Sequence, residues 1–220
     1  MKVKVVRDIL AANEQLAEEN RRLFREKGIF TLNLMGSPGA GKTSLLEKTI
    51  EGLNGELRLG VIEGDIASSQ DAERIAQSGA PVVQINTGGA CHLDANMIRA
   101  VLGDMDLDTL DLLIIENVGN LVCPAEFQLG EEIKVAVLSV TEGDDKPQKY
   151  PLMFQESSAL VINKIDLLPY VSCSLERVKK DVLDIHPQLE IFPVSCTTKE
   201  GMGEWIRWLK SKVQGLKDSS

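Results

Sequence analysis

The chain has no apolar run approaching the roughly 20 residues a membrane helix requires, which excludes a helical span. Its first residues are charged and carry no signal-peptide core, so a cytoplasmic protein is expected. Positive charge is in deficit: the formal net charge of −9 argues against nucleic acid or an anionic membrane surface as a main partner. Cysteine is sparse and scattered, at 91, 123, 173 and 196, which speaks against a disulfide framework and for metal or catalytic use. No internal repeat or low-complexity tract interrupts the chain. A composition 43% hydrophobic and 26% charged, over 220 residues, is that of one soluble globular domain with a sizeable core.

One stretch organises the remainder. The apolar run from Phe30 leads into Gly36-Ser37-Pro38-Gly39-Ala40-Gly41-Lys42-Thr43-Ser44, which fits the phosphate-binding spacing G-x-x-x-x-G-K-[ST]. Glycine lets the backbone turn tightly and aim N–H groups at a phosphate, and the helix opening near Lys42 adds its positive end. Lys42 is expected on the β- and γ-phosphates, and the Thr43 hydroxyl is a hard ligand for Mg²⁺. With the chain so acidic, such a nucleotide must be held by this local site.

Around that loop the pattern alternates. Strands are expected at Phe30–Met35, Leu57–Glu63, Pro81–Ile85, Leu112–Glu116, Glu132–Val140, Ala159–Asn163 and Leu189–Val194. Helices are expected at Lys42–Leu53, Ser69–Ser78, Leu93–Leu102, Leu175–Ile185 and Met202–Val213, the last pinned by Trp205 and Leu209. This predicts an α/β fold, a mostly parallel sheet with helices on both faces, with ligands at the carboxyl ends of the strands. An amphipathic helix over 5–26, with Val6, Ile9, Leu10, Leu16, Leu23 and Phe24 as its apolar stripe, forms an N-terminal piece (1–28) packing on the main domain (29–214). Residues 215–220 read as a loose tail.

Asn163-Lys164-Ile165-Asp166 ends a strand far downstream of the loop. The Asp166 carboxylate can accept from guanine N1–H and the 2-amino group, whereas adenine presents an acceptor there. Lys164 can lie along the base, Asn163 ties loops together, and Ser195-Cys196-Thr197 can offer backbone N–H groups to guanine O6. The nucleotide expected is therefore GTP. Glu116-Asn117-Val118-Gly119 ends another strand: Glu116 can hold Mg²⁺ through a water, and Gly119 can follow the γ-phosphate. Asp65 is a further candidate for Mg²⁺ or water. Asp71 reads equally as a second such residue or as an acidic helix start capped by Ser68 or Ser69. No Gln or His follows Gly119 and no arginine finger is identifiable, so slow hydrolysis is expected.

A second site has soft ligands. Cys91-His92 lies in the Gly-rich loop Thr87–Ala95, and Cys123 lies seven residues past Glu116, directly after the switch. Thiolate and imidazole suit Zn²⁺, Ni²⁺ or copper, not Mg²⁺. Three ligands are one short of a closed tetrahedral site, and a two-fold dimer can complete it. Cys173 and Cys196 read as small buried apolar residues, and His186 as a helix C-terminal residue without a metal role.

Taken together, Gly-Ser-Pro-Gly-Ala-Gly-Lys-Thr, Glu-Gly-Asp-Ile, Cys-His-Leu-Asp-Ala, Glu-Asn-Val-Gly-Asn-Leu-Val-Cys-Pro, Thr-Glu-Gly-Asp-Asp-Lys-Pro and Asn-Lys-Ile-Asp resemble the hydrogenase nickel-incorporation GTPases, the HypB family, within the signal-recognition-particle/MinD-like class of P-loop proteins. The resemblance implies a GTP-promoted homodimer with Ni²⁺ or Zn²⁺ held at the subunit interface by Cys91, His92 and Cys123. It implies nickel delivery during nickel–iron hydrogenase maturation, with a HypA-type zinc protein and the hydrogenase large subunit as partners. It also suggests that Lys146 or Lys149 contacts nucleotide across the dimer. The first 29 residues contain no Cys or His, unlike members with an N-terminal metal motif, so metal function is expected to rest on the GTPase domain. Three other readings compete: a urease-type nickel-insertion GTPase, which typically carries Cys-Pro-His; a regulatory GTPase without metal; and a small-molecule kinase, against which Asn163–Asp166 counts.

Overall fold

The computed structural model describes residues 7–53, 55–65 and 70–218; the side chains of residues 7–9, 65, 70, 71 and 73 lie outside the described set. In chain order the elements are α1 (Arg7–Glu26), β1 (Phe30–Gly36), α2 (Lys42–Leu53), β2 (Leu59–Asp65), α3 (Gln70–Gln77), β3 (Val82–Asn86), α4 (Ala95–Val101), β4 (Leu112–Glu116), α5 (Cys123–Glu126) and β5 (Ile133–Ser139). There follow α6 (Lys146–Lys149), α7 (Pro151–Gln155), β6 (Ala159–Asn163), α8 (Leu175–Ile185), β7 (Glu190–Pro193) and α9 (Met202–Asp218).

The strands form one seven-stranded sheet, ordered β3-β2-β4-β1-β5-β6-β7, and every pairing is parallel. The sheet is buried on both faces, which explains strands such as Leu112–Glu116 with no solvent-facing side. One face presents Leu32, Leu34, Val61, Leu112, Ile114, Val135 and Val161 to α2 and α9. Trp205 and Leu209 are fully buried there, and the Trp205 indole N–H donates to Thr49 Oγ1 at 2.9 Å. They do pin the closing helix, and Leu209→Ala would cost about 2–5 kcal/mol. The alternate residues of the strands face the other way. Ile62, Leu113 and Ile115 meet Phe24 of α1 and Ile98 of α4, while Met35, Ala136, Leu160 and Ile162 meet α7 and α8.

Three expectations need correction. Helix α1 buries Asn13, Ala17 and Asn20 together with Phe24 of the expected stripe; Leu23 packs half-buried on the core, whereas Leu10 is exposed. Two of those buried positions are amides because they hydrogen-bond to the backbone beneath them: Asn20 Nδ2 donates to Ala95 O and Leu129 O, and Asn13 Nδ2 to Gln128 O. Val6 and the Ile9 side chain lie outside the described residues. Second, α9 continues through Asp218, so 215–218 is helix and not loose tail. Third, β2 starts at Leu59, because Arg58 is tied to Asp111 through both its backbone N–H and its guanidinium.

Candidate nucleotide and metal sites

The carboxyl ends of β1, β2 and β4 converge on a pocket of about 440 Å³ lined by Pro38, Gly39, Gly41–Ser44, Glu63, Gly64, Arg74, Glu116–Gly119 and Lys164. Gly39 and Gly41 both take positive φ (77° and 92°), which L side chains rarely adopt. A Cβ on Gly41 would also stand 2.3 Å from Asn163 Nδ2. Lys42 is buried at the start of α2, its ammonium 3.4 Å from the carbonyls of Gly36 and Ser37. Thr43 Oγ1 donates to Glu116 Oε1 at 2.9 Å. The two residues read separately as Mg²⁺ contacts are thus in direct contact, and a hydroxyl beside a buried carboxylate is a donor set suited to that hard cation. Ser37 is tied by its hydroxyl to Glu142.

Glu63, which sequence reasoning passed over for Asp65, is buried in the same pocket and lies in register with Glu116 on the neighbouring strand. The detectable signal was that both acids end apolar strands. The side chains of Asp65 and Asp71, and the segment with Ser68 and Ser69, lie outside the described residues. Gly119 packs against the loop: a Cβ there would come 2.9 Å from Pro38.

On the other side of the loop, Asn163 does tie segments together. Its Nδ2 donates to Ala40 O at 3.1 Å, and its Oδ1 accepts from Lys164 N at 2.7 Å and Cys196 N at 3.4 Å. Lys164 sits in left-handed backbone (φ 63°) and donates to Gly39 O at 2.7 Å. Asp166 Oδ1 is buried and accepts no hydrogen bond among the described residues. A carboxylate oxygen in that state suits a ligand bearing N–H donors. Ser195 is fully buried, its hydroxyl accepting from Thr198 N, while Cys196 packs on the core with its thiol pushed up to about 11 by burial. Thr197 is exposed in the same turn. Cys173 is likewise half-buried, on the α7–α8 side.

The soft ligands meet. Cys91 Sγ lies 3.1 Å from Cys123 Sγ and 3.5 Å from His92 Nδ1, and the candidate ligand atoms of the three residues lie within 4.8 Å of one another. Among the described residues this is the one group with such geometry. Asp94 caps α4 just beyond it, accepting from Met97 N at 2.8 Å. The His92 ring stacks on Phe127 with centroids 3.8 Å apart, fixing the imidazole against the segment that carries Cys123. Burial holds the His92 pKa below its ordinary value, favouring the neutral, ligating ring, while the neighbouring Cys91 and burial hold the Cys123 thiol up. Metal entry there must displace thiol protons. His186 caps α8 and faces Phe154 O, away from any such cluster.

The segment after Glu116, the phosphate-type loop and the loop carrying Cys91 are physically joined. Asn120 donates its backbone N–H to Gly36 O at 3.0 Å, and its side-chain amide to Cys91 O at 3.2 Å. Lys146 and Lys149 sit on α6, both beside Asp145, and neither lines the phosphate pocket of its own chain.

Residues 30–193 match the family described as CobW/HypB/UreG, nucleotide-binding domain. The chain is similar to the hydrogenase maturation factor HypB of Escherichia coli K12, 49% identical over 205 residues, covering 93% of this chain and 71% of that protein. Its fold is similar to crystal structures of HypB from Archaeoglobus fulgidus (TM-score 0.87, 44% identity, 93% of this chain and 100% of that one). It also resembles HypB from Helicobacter pylori in complex with nickel (TM-score 0.88, 36% identity, 93% and 96%).

Proposed function

The chain belongs to the HypB group of P-loop GTPases in the CobW/HypB/UreG family, and from that premise we propose that it is a GTP-hydrolysing metallochaperone that carries Ni²⁺ or Zn²⁺ and supports nickel insertion into nickel–iron hydrogenase. The reading takes the maturation role from the relatives' names and the cargo from the nickel-bound relative. The observation that carries it is Asn120, whose backbone is bonded to the phosphate loop and whose side chain is bonded to Cys91.

Each residue then has a task. The backbone N–H groups from Gly36 to Ser44 cradle the phosphates, and Lys42 trades its loop carbonyls for phosphate oxygens. Thr43 and Glu116 would hold Mg²⁺, which supplies neutralisation of the phosphate charge when bound. Glu63, and by expectation Asp65 and Asp71, orient water; Gly119 follows the γ-phosphate with its N–H. With acids alone to place water, intrinsic hydrolysis is slow and suits a timer. Asp166 and Lys164 select guanine. Cys91, His92 and Cys123 grip the cargo, and a second copy of the chain completes the coordination across a two-fold axis. Lys146 or Lys149 reaches the partner's nucleotide in that dimer. A HypA-type zinc protein works beside the chain, and the hydrogenase large subunit receives the nickel, in the cytoplasm.

The test is Ni²⁺ affinity measured with GDP and with a non-hydrolysable GTP analogue; equal affinities would overturn the coupling. Light scattering on the same samples should show a heavier species with the GTP analogue. Cys91→Ala and Cys123→Ala should abolish hydrogenase maturation. If maturation survives, the chain is a regulatory GTPase without a metal task.

A further inference from the structure

Strand β1 carries an asparagine in the middle of the sheet. Asn33 is fully buried in the sheet, in register with Ile115 on one side and with buried Lys134 on the other, and burying an amide there is costly unless its groups are satisfied. They are satisfied in a chain. Glu131, also buried, accepts from Asn33 Nδ2 at 3.1 Å through Oε1, and from the backbone N–H groups of Leu129 (2.6 Å) and Gly130 (3.0 Å) through Oε2. Asn33 Oδ1 accepts from Asn117 Nδ2 at 3.1 Å. Asn117 Oδ1 accepts from two backbone groups, Val118 N at 3.0 Å and Leu93 N at 3.1 Å.

The polarity of this chain is set at both ends. A carboxylate only accepts, so Asn33 must turn its NH₂ toward Glu131 and its oxygen toward Asn117. Backbone N–H groups only donate, so Asn117 must turn its oxygen toward Leu93 and Val118 and its NH₂ toward Asn33. The two requirements agree, which leaves one amide orientation for each asparagine. At the far end Lys134, buried 3.9 Å from Glu131, donates to Ala125 O at 2.7 Å.

These endpoints are specific. Asn117 follows Glu116, and Val118 precedes Gly119, so one end lies in the switch. Leu93 follows His92, and Ala125 lies two residues past Cys123. A single oxygen, Asn117 Oδ1, is therefore shared between the switch peptide and the metal loop. Movement of the Val118 peptide as Gly119 turns its N–H toward a γ-phosphate changes what that oxygen offers Leu93.

We propose that Asn33, Asn117 and Glu131 form a buried relay that sets the two metal-bearing segments according to the state of the switch, with Asn117 as the positioning residue at the switch end. This rests on the coupling reading above and deepens it, because it adds a route separate from the surface link through Asn120.

Glu131→Gln keeps size but brings a second donor face to Asn33, and Asn33→Leu removes the middle of the chain. Ni²⁺ affinity is measured by titration for the wild type and both variants, each with GDP and with the GTP analogue, after thermal melting confirms folding. The wild-type ratio between the two states is expected at about 5-fold or more. In both variants it falls toward one, with GDP affinity unchanged. A ratio that persists in the variants overturns the relay and leaves the coupling reading standing. A wild-type ratio of one overturns both. If the variants fail to fold, the side-chain NH₂ signals of Asn33 and Asn117 are followed by NMR in the wild type. They should shift between the two nucleotide states, and unmoved signals overturn the relay.

Discussion

Asp166→Asn gives the sharpest test of guanine selection. Asp166 Oδ1 is buried and accepts no hydrogen bond among the described residues, although the side chain as a whole is only half-buried. Guanine brings two donors to this position, N1–H and the 2-amino group. Two hydrogen bonds to a charged acceptor, at about 1.5–3 kcal/mol each, give about 3–6 kcal/mol for the pair. At about 1.4 kcal/mol per tenfold, that is about 10²–10⁴-fold in affinity, with partial exposure favouring the lower end. Asparagine keeps one acceptor and turns a donor on the 2-amino group, so the loss should approach the full pair. Xanthine carries a carbonyl in place of that amino group and matches the amide. The assay is competition of GDP and XDP for a fluorescent nucleotide, on wild type and variant. GDP should weaken by about two orders of magnitude or more while XDP tightens. Retained preference for GDP would refute the assignment of Asp166 as the base-reading group, whatever the fate of the metal site.

Other perturbations test separate parts. Lys42→Ala should abolish measurable binding of a fluorescent nucleotide, because it removes the ammonium that stands 3.4 Å from the Gly36 and Ser37 carbonyls at the phosphate loop. Gly41→Ala should impair nucleotide binding and lower stability together, because the added Cβ meets Asn163 in a backbone already at φ 92°. Asp111→Asn reports on the clasp between the start of β4 and the end of α9. Arg58 first, and then Lys217, hold the Asp111 carboxyl well below the usual carboxylate range. A depressed folded-state pKa gives stability that is complete above the unfolded value near pH 4 and fades as the pH falls further. The side chain is mostly covered but its cationic partners are largely exposed, so the variant should lose about 1 kcal/mol at pH 7. Urea unfolding at several pH values should show that difference closing below about pH 4; a difference independent of pH would refute the ionic origin.

What could be read in the chain beforehand was what is local. The phosphate loop declares itself because its glycines and lysine act within a few residues of backbone. Asn163–Asp166 and Cys91-His92 are equally compact, and the strands show as short apolar runs. Glu63 escaped because its significance depends on lying beside Glu116, 53 positions later, through sheet register. Asn33 and Glu131 escaped for the same reason at 98 positions' separation. In a linear reading, a polar residue in an apolar strand is merely an irregularity. The helix face of α1 was misjudged because Asn13 and Asn20 count as surface residues by composition. Helices α5, α6 and α7 span four or five residues each, too few for a periodicity to register.

The first helix is moored through main-chain atoms: its two amides hold the carbonyls of Ala95, Gln128 and Leu129, and Ala95 N donates back to Asn13 Oδ1. The main chain at those positions does the holding, but the Ala95 and Leu129 side chains are themselves fully buried, so of the three only Gln128 is open to substitution. Gly130 is stricter still, since a single methyl there would lie 2.5 Å from Asn20 Cβ and wedge the helix off its seat. Natural drift can rewrite position 128 along that shoreline, but at position 130 one hydrogen atom must stay.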